Sequence, residues 1–534
     1  MNSTIALIAG IAPAGLLVAA YIAASEPGMR PRRALAAGRI ATLSALAIAL
    51  VSAVLVAAEG AGTSALIGAE GIGLSFRLDA FSAVMFILVA FVGAIVVQYS
   101  RNYLDGDPRQ GAFIARLCVT LAAVLLLVTS GNLVQLVLAW IATSLALHRL
   151  LVFYPERRKA QLAARKKFIT ARISDACLIG AAILLASAFD TTDIATLLAR
   201  ASFEGSDAMT SGVVFATLLI AVAALLKSAQ FPFHGWLPQV METPTPVSAL
   251  LHAGIINAGG FLVIRFADVM VMSVAALSVL ALVGGLTALF GAVVMLTQNS
   301  IKVSVAWSTV SQMGFMLLEC GLGLFPIAVL HIVAHSLYKA HAFLASGSVV
   351  EIARASWVPG KAAPSPVTVL ASLAIALAVY LGIGWAFGLL ELSDIYKLTV
   401  GAIIVMGLTL LIAQAFGGGP RLYVIGRTVG ASALVALAYF VLRYGVEAMF
   451  EGTLPPAPEP DAIAYVVVVL TIASFAAVTV LQLFEPARAA SPFWRTMRLH
   501  LANGLYADAV FDRLIGALRL PAAGSSEGGT HGRQ

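Results

Sequence analysis

Charge is what this chain has least of. Only 11% of its 534 residues are Asp, Glu, Lys or Arg, where an ordinary soluble domain carries about 25%. That shortfall excludes a globule with a fully solvated surface. Cysteine is scarce as well: Cys118, Cys177 and Cys320 are the three, all within or at the ends of apolar runs. No Cys-x-x-Cys pair and no Cys/His metal spacing occurs, so neither a disulfide framework nor a bound cluster is expected. A Walker loop, a dinucleotide fingerprint, a quinone-binding signature and a Ser-His-Asp arrangement are missing too. The chain is therefore read as non-enzymatic, with no cofactor and no metal of its own. Alternating ten-residue strands do not occur, which argues against a membrane barrel.

What is there is apolar: 60% of the residues are hydrophobic. Runs of roughly 20 such residues recur along nearly the whole length, the mark of an all-α polytopic membrane protein. Fifteen spans are predicted. The first ten lie at 4–24, 36–58, 78–98, 112–130, 132–153, 168–189, 212–242 (broken), 247–266, 271–296 and 301–320. The last five lie at 325–348, 366–390, 397–416, 424–446 and 462–484. The first run is too long for a signal peptide and lacks a basic leader, so it is read as a span.

Loop charges set the orientation, because Lys and Arg gather on the cytoplasmic side. Arg30, Arg32, Arg33 and Arg39 follow span one; Arg157, Arg158, Lys159, Arg165, Lys166 and Lys167 follow span five. Connections after even-numbered spans are acidic or neutral, with Glu59 and Glu70, then Asp190, Asp193, Glu204 and Asp207, then Glu447, Glu451, Glu459 and Asp461. The alternation persists only if the broken segment counts as one span. It predicts an outside N-terminus and a cytoplasmic C-terminus, and makes the net charge of +7 a topology signal rather than a nucleic-acid footprint.

The stretch over 225–254, LLKSAQFPFHGWLPQVMETPTPVSALLHAG, breaks this regularity. Lys227 follows an apolar run directly. Pro232, Pro238, Pro244 and Pro246 and the Gly235-Trp236 pair then interrupt the helix, and His252 lies in the run that resumes. A lysine in hydrocarbon costs about 2.5–3.5 kcal/mol on insertion scales. Irregular backbone survives at that depth only against protein or a wet cavity, and an interrupted helix beside a charged group is how transporters build ion sites. The bland alternative is a lysine snorkelling from a helix end.

Span eleven carries the second constellation. In HIVAHSLYKAHAFLASGS, His331, His335 and Lys339 recur at i, i+4 and i+8, along one helix face over about 12 Å. Such a ladder suits proton relay, and His341 lies nearby. Its His331/His335 spacing also fits a helical metal pair, but no carboxylate or cysteine follows at ligand spacing and Lys339 would repel a cation. Asp175 in span six lies three residues after Arg172, which fits a helix-face ion pair. Glu319 is read as interfacial, His234 as a polar or packing group in the break, and His148 with Arg149 as an interface anchor. Beyond span fifteen, Trp494, Met497, Leu501, Leu505 and Leu514 alternate with Arg495, Arg498, Arg513 and Arg519. These predict amphipathic helices on the membrane surface or against a partner, before a Gly/Ser-rich, disordered tail.

The stretch over 225–254, IKVSVAWSTVSQMGFM over 301–316 and the span-eleven motif resemble the proton-conducting antiporter-like membrane subunits. That family includes the L, M and N subunits of respiratory NADH dehydrogenase and the large Mrp antiporter subunits. The resemblance covers about residues 75–350 well. It implies inverted five-helix repeats with a broken seventh helix and a central polar axis. Lys227 then matches the broken-span lysine, His252 the basic residue of span eight, His331, His335 and Lys339 the central relay, and Asp175 the aspartate of an RxxD motif. The division implied is N-terminal helices over 1–110, a first repeat over 111–268 broken at 227–246, and a second, degenerate repeat over 269–416. C-terminal helices over 417–484, the amphipathic segment over 485–520 and the tail over 521–534 follow.

Three departures stand out. The respiratory subunits place a glutamate partner for the broken-span lysine where this chain has Ile141, which leaves Asp175 as the candidate partner. Span twelve lacks the expected proline break and lysine, with only Glu391, Asp394 and Lys397 beyond its end to substitute. No room is read after residue 484 for the long lateral helix of the L subunit. Together with SLALHRLLVFY over 144–154 and WRTMRLHLANGLYADAVFDRL near the end, these departures look most like the DabB-type membrane subunit of DAB inorganic-carbon accumulation complexes. That relative implies a bacterial inner-membrane location and a large cytoplasmic, zinc-containing, carbonic-anhydrase-like partner of the DabA type. It implies that flow of protons (or Na+) here makes CO2 hydration there effectively one-way, trapping bicarbonate. Subunit L of an NADH:quinone oxidoreductase and a Mrp-like Na+/H+ antiporter subunit are the alternatives.

Overall fold

The computed structural model describes residues 3–69, 71–204, 210–346, 364–391, 393–416, 422–488 and 491–516. The expected tail over 521–534, together with Arg519, Glu70 and Asp207, lies outside the described residues. A helix stands at each of the fifteen expected places. The first six are α1 (Leu7–Ser25), α2 (Arg32–Glu59), α3 (Ala80–Tyr103), α4 (Gln110–Val128), α5 (Leu133–Leu151) and α6 (Arg158–Phe189). Next come α7 (Ser211–Lys227), α8 (Thr245–Arg265), α9 (Val274–Leu296), α10 (Ile301–Gly321) and α11 (Phe325–Leu344). The last four spans are α12 (Pro366–Ala386), α13 (Ile395–Phe416), α14 (Leu422–Phe450) and α15 (Ala462–Phe484). Two short helices, α16 (Pro492–Ala502) and α17 (Ala507–Gly516), follow.

Among the described residues, 13 of these helices are long and apolar enough to cross a membrane unaided. The two that fall short are α7, which stops after 17 residues where the sequence predicts the break, and α10. Although 21 residues long, α10 carries Lys302, Ser304, Ser308, Thr309, Ser311, Gln312 and Glu319. A helix that polar must hide its hydroxyls in protein, and α10 does so by pressing on α9. A Cβ added to Gly314 would lie 2.5 Å from the Ala288 nitrogen and 2.6 Å from the Gly284 carbonyl oxygen, so the two backbones touch there. Small residues allow such approach where water supplies no drive between helices.

Burial separates centre from rim. In the most apolar window of α8, 94% of residues are buried, against 17% in α14 and α15. Leu434, Leu442, Val466 and Val469 point outward from those two rim helices, as lipid-facing side chains do. Between α2 and α3, in the connection that begins at Glu59, lie two short antiparallel ribbons. One pairs Gly62–Thr63 with Arg77–Leu78, the other Ile67–Ala69 with Ile72–Leu74. The acidic connection before α7 also holds a helix, Ile194–Glu204.

Candidate functional site

Helix α7 is capped by Thr210, whose hydroxyl accepts from the Val213 nitrogen. It ends at Lys227. Ala229 takes a positive φ of 51°, and three short turns, Phe233–Gly235, Trp236–Gln239 and Val240–Glu242, carry the chain to α8. The buried Lys227 ammonium donates to Ser144 Oγ at 2.8 Å and to the Trp140 carbonyl at 3.3 Å. It also lies 4.1 Å from the centre of the Trp140 ring, an attraction of about 2 kcal/mol when desolvated.

Asp175, the expected partner of Lys227, pairs instead with Arg172 at 2.6 Å. With Ile141 in the glutamate's place, one helical turn further along α5 Ser144 supplies an oxygen, so a hydroxyl and a ring face replace a carboxylate. Ser144 does double duty, since its carbonyl accepts from Lys167 Nζ at 2.8 Å. Lys166 and Lys167 belong, by sequence, to the basic connection after span five. They are buried, because α6 starts at Arg158 and places both two turns inside the helix.

Helix α8 is interrupted as well. Gly254 leaves the helical region (φ −127°, ψ −66°) and Ile255–Asn257 forms a tight turn before the helix resumes at Ala258. That interruption links the break to the ladder on α11. Ser228 Oγ donates to the Ile256 carbonyl at 3.0 Å, and Asn257 Nδ2 donates to Ser336 Oγ at 2.7 Å, next to His335. His252 Nδ1 shares a 2.9 Å hydrogen bond with Thr309 Oγ1, and its ring stacks on Phe343 at 4.4 Å.

The three ladder residues do share one face. Lys339 donates to the Val305 carbonyl at 3.1 Å and to Ser308 Oγ. The His331 and His335 rings lie 6.2 Å apart. Glu319 is buried rather than interfacial, with Oε2 2.9 Å from His331 Nδ1. The α10–α11 hairpin explains this, because a turn of only Leu322–Leu324 folds residue 331 back beside residue 319. His341 does not join: it is exposed, because two residues past Lys339 is about 200° round the helix. The Nε2 atoms of His252, His331 and His335, with Asn257 Oδ1 and Gln230 Oε1, are buried without a protein partner among the described residues. Buried polar atoms in such a row call for water. A cavity of about 770 Å³ borders two of these side chains, His331 and His335; Ser308, Glu319, Lys339 and Tyr439 add polar groups to a wall otherwise built mostly of apolar residues such as Phe315, Ile404 and Phe475.

One turn beyond Tyr439 on α14, the buried Arg443 opens the next polar group. Its Nε donates to Glu447 at 2.9 Å and its Nη2 lies 3.5 Å from Glu391. Lys397 lies 2.5 Å from Glu391 and 3.8 Å from Asp394. The three charges read as substitutes beyond span twelve are thus brought together, and α12 itself runs unbroken. Arg443 escaped sequence reasoning, since an arginine near the end of a long apolar run looks like a snorkelling anchor. His234 sits in an aromatic box of Phe231, Phe290 and Trp307, with ring centres 5.1–5.7 Å away. His148 packs at 5.3 Å against Phe168.

The C-terminal helices dock on the chain itself. Lys166 Nζ donates to Gln239 Oε1 at 2.9 Å and to Asp508 Oδ1 at 3.1 Å, and also pairs with Asp512. Burial pushes the Asp508 carboxyl above its ordinary range, against the pull of the Lys166 ammonium and with a further push from Asp512.

Residues 130–356 match the family model described as NADH:quinone oxidoreductase/Mrp antiporter transmembrane, and residues 67–114 match the complex I chain 5 N-terminus. A probable inorganic carbon transporter subunit DabB2 of Halothiobacillus neapolitanus is 40% identical over 83% of this chain and 80% of its own length. A probable inorganic carbon transporter subunit DabB of Hydrogenovibrio crunogenus is 45% identical over 68% of this chain and 69% of its own. In solved structures, a chain of the Mrp complex from Dietzia superposes with a TM-score of 0.57 and 25% identity. The match covers 96% of this chain and 58% of that one.

Proposed function

Because the chain belongs to the antiporter-like membrane subunits of the NADH:quinone oxidoreductase and Mrp type, alongside the DabB subunits, we propose that it conducts protons for inorganic-carbon accumulation. Flow through it drives CO2 hydration on a large cytoplasmic partner that carries the zinc. The chain lies in a bacterial inner membrane, with its N-terminus outside and its C-terminus cytoplasmic. The two repeats are residues 111–268 and 269–416. The path runs from Lys227 through His252 to Lys339, His335 and His331, and ends on Glu319. Asp175 sets the field at its start, and His234 lines the approach. His341, exposed on another face of α11, lies outside this path.

One observation carries the reading: a row of imidazoles whose Nε2 atoms are buried without protein partners among the described residues, two of them, His331 and His335, lining a cavity that Ser308, Glu319 and Lys339 also line. A protonated imidazole can release from one nitrogen while the other is recharged, and water between successive rings completes each hop. The redox-driven alternative is weakened by Ile141, which removes the carboxylate partner at the break. It is weakened again by the unbroken α12.

Cells lacking the native gene and expressing Lys227→Ala or His335→Ala test the path. Each variant is expected to abolish uncoupler-sensitive bicarbonate accumulation while still inserting in the membrane. Normal accumulation in either would end the relay. Purification of the tagged chain tests the partner. One large zinc-containing soluble subunit is expected, whereas flavin and iron–sulfur subunits would establish the redox alternative.

A further inference from the structure

Helix α17 is stitched to the break, and α16 with the turn after it to α9 and α10. Phe511 meets the Phe233 ring edge-on at 5.6 Å. Gln298 Nε2 donates to the Ala502 carbonyl at 3.2 Å, and Gly504 lies against the Trp307 ring. A Cβ on Gly235 would sit 1.5 Å from Asp508 Oδ1, so the helix lies directly on the broken segment. At the centre is Lys166, whose side chain is fully buried. Its ammonium is caged by oxygens of Asp508, Asp512 and Gln239, and Gln239 Nε2 donates back to Asp508. Gln239 belongs to the break; Lys166 precedes Lys167, which shares Ser144 with Lys227. A buried ammonium with three oxygen partners is well satisfied, and losing its carboxylates leaves a charge that must find water.

We propose that Asp508 and Asp512 are positioning residues of the ion path: through Lys166 and Gln239 they hold α17 over the break and keep its basic-loop end closed. The helix is then a strap whose release admits water and ions to the segment leading to Lys227. The transport half of this inference rests on the function proposed above; the closure half does not.

The test uses the full chain in its native complex, in a cysteine-free background. His234→Cys places a thiol beneath the strap, and labelling by a membrane-impermeant maleimide reports access. The parent is expected to resist labelling. Asp508→Asn with Asp512→Asn is expected to expose the thiol and, introduced separately into the chain that keeps His234, to lower bicarbonate accumulation several-fold. A charge exchange, Lys166→Asp with Asp512→Lys, is expected to restore protection, which a general loss of packing would not allow. Unchanged labelling in the double Asn variant overturns the strap, as does failure of the exchange to restore protection. Exposure with full accumulation overturns its control of the path, provided Lys227→Ala still abolishes accumulation. If Lys227→Ala is also silent, the transport reading has failed and the strap is judged on labelling alone.

Discussion

The two halves of the molecule solve one problem in opposite ways. Around α5–α8, where ion pairs such as Arg172–Asp175 also occur, the charge at the centre, Lys227, is accommodated by breaking backbone. Helix α7 stops at Lys227, α8 stops at Gly254, and the ammonium is met by a hydroxyl, a carbonyl and an indole face, with no carboxylate at ion-pair distance among the described residues. Around α10–α14 the helices run on and, apart from Lys339, which meets a carbonyl and a hydroxyl, charges are met by charges: Glu319 with His331, Arg443 with Glu447 and Glu391, Lys397 with Glu391. The first arrangement leaves a base that can lose its proton without stranding a counter-ion. The second locks partners together.

That contrast can be broken by mutation. The largest effect is expected from Lys227→Met, which should abolish bicarbonate accumulation yet leave thermal unfolding of the purified chain unchanged or raised. No carboxylate is stranded, and an apolar side chain of similar length fills the space. A large drop in melting temperature would show that the first half also rests on its charge. Next comes Glu447→Ala, which leaves the buried, permanently charged Arg443 short of a partner. A loss of about 3–5 kcal/mol is expected, read as a lower melting temperature. Glu319→Gln keeps the shape but removes the charge facing His331, and accumulation should fall partially, because His335 and Lys339 remain. Smallest is Ser144→Ala, which removes one interhelical hydrogen bond worth about 1 kcal/mol. Reduced accumulation with normal insertion is the outcome to measure, and no change would mean that Trp140 alone holds the ammonium.

Much of this was legible in the sequence. Apolar runs located all fifteen helices, prolines marked the break, and i, i+4, i+8 spacing set the ladder on one face. What stayed hidden were contacts between segments far apart in the chain. Ser144 looks like any helix serine until α7 is laid beside α5. Lys166 and Lys167 look like loop charges because helix α6 begins earlier than the apolar pattern does. Glu319 looks interfacial because span ends usually are, and only the tight α10–α11 turn buries it. The interruption of α8 falls at Gly254, and a glycine in an apolar run that also holds Gly259 and Gly260 does not by itself mark a break.

That second interruption has a consequence of its own. Lys227 and His252 each occupy the last turn of a half-helix that ends within the fold. The aligned peptide dipoles there present carbonyl oxygens, equivalent to roughly half a negative charge. Each half-helix thus adds an attraction for a positive charge at its tip, up to about 2 kcal/mol in partly buried geometries, which offsets part of the cost of burying that charge. The backbone itself therefore marks two stopping places for a positive charge, one on either side of the gap between α7 and α8.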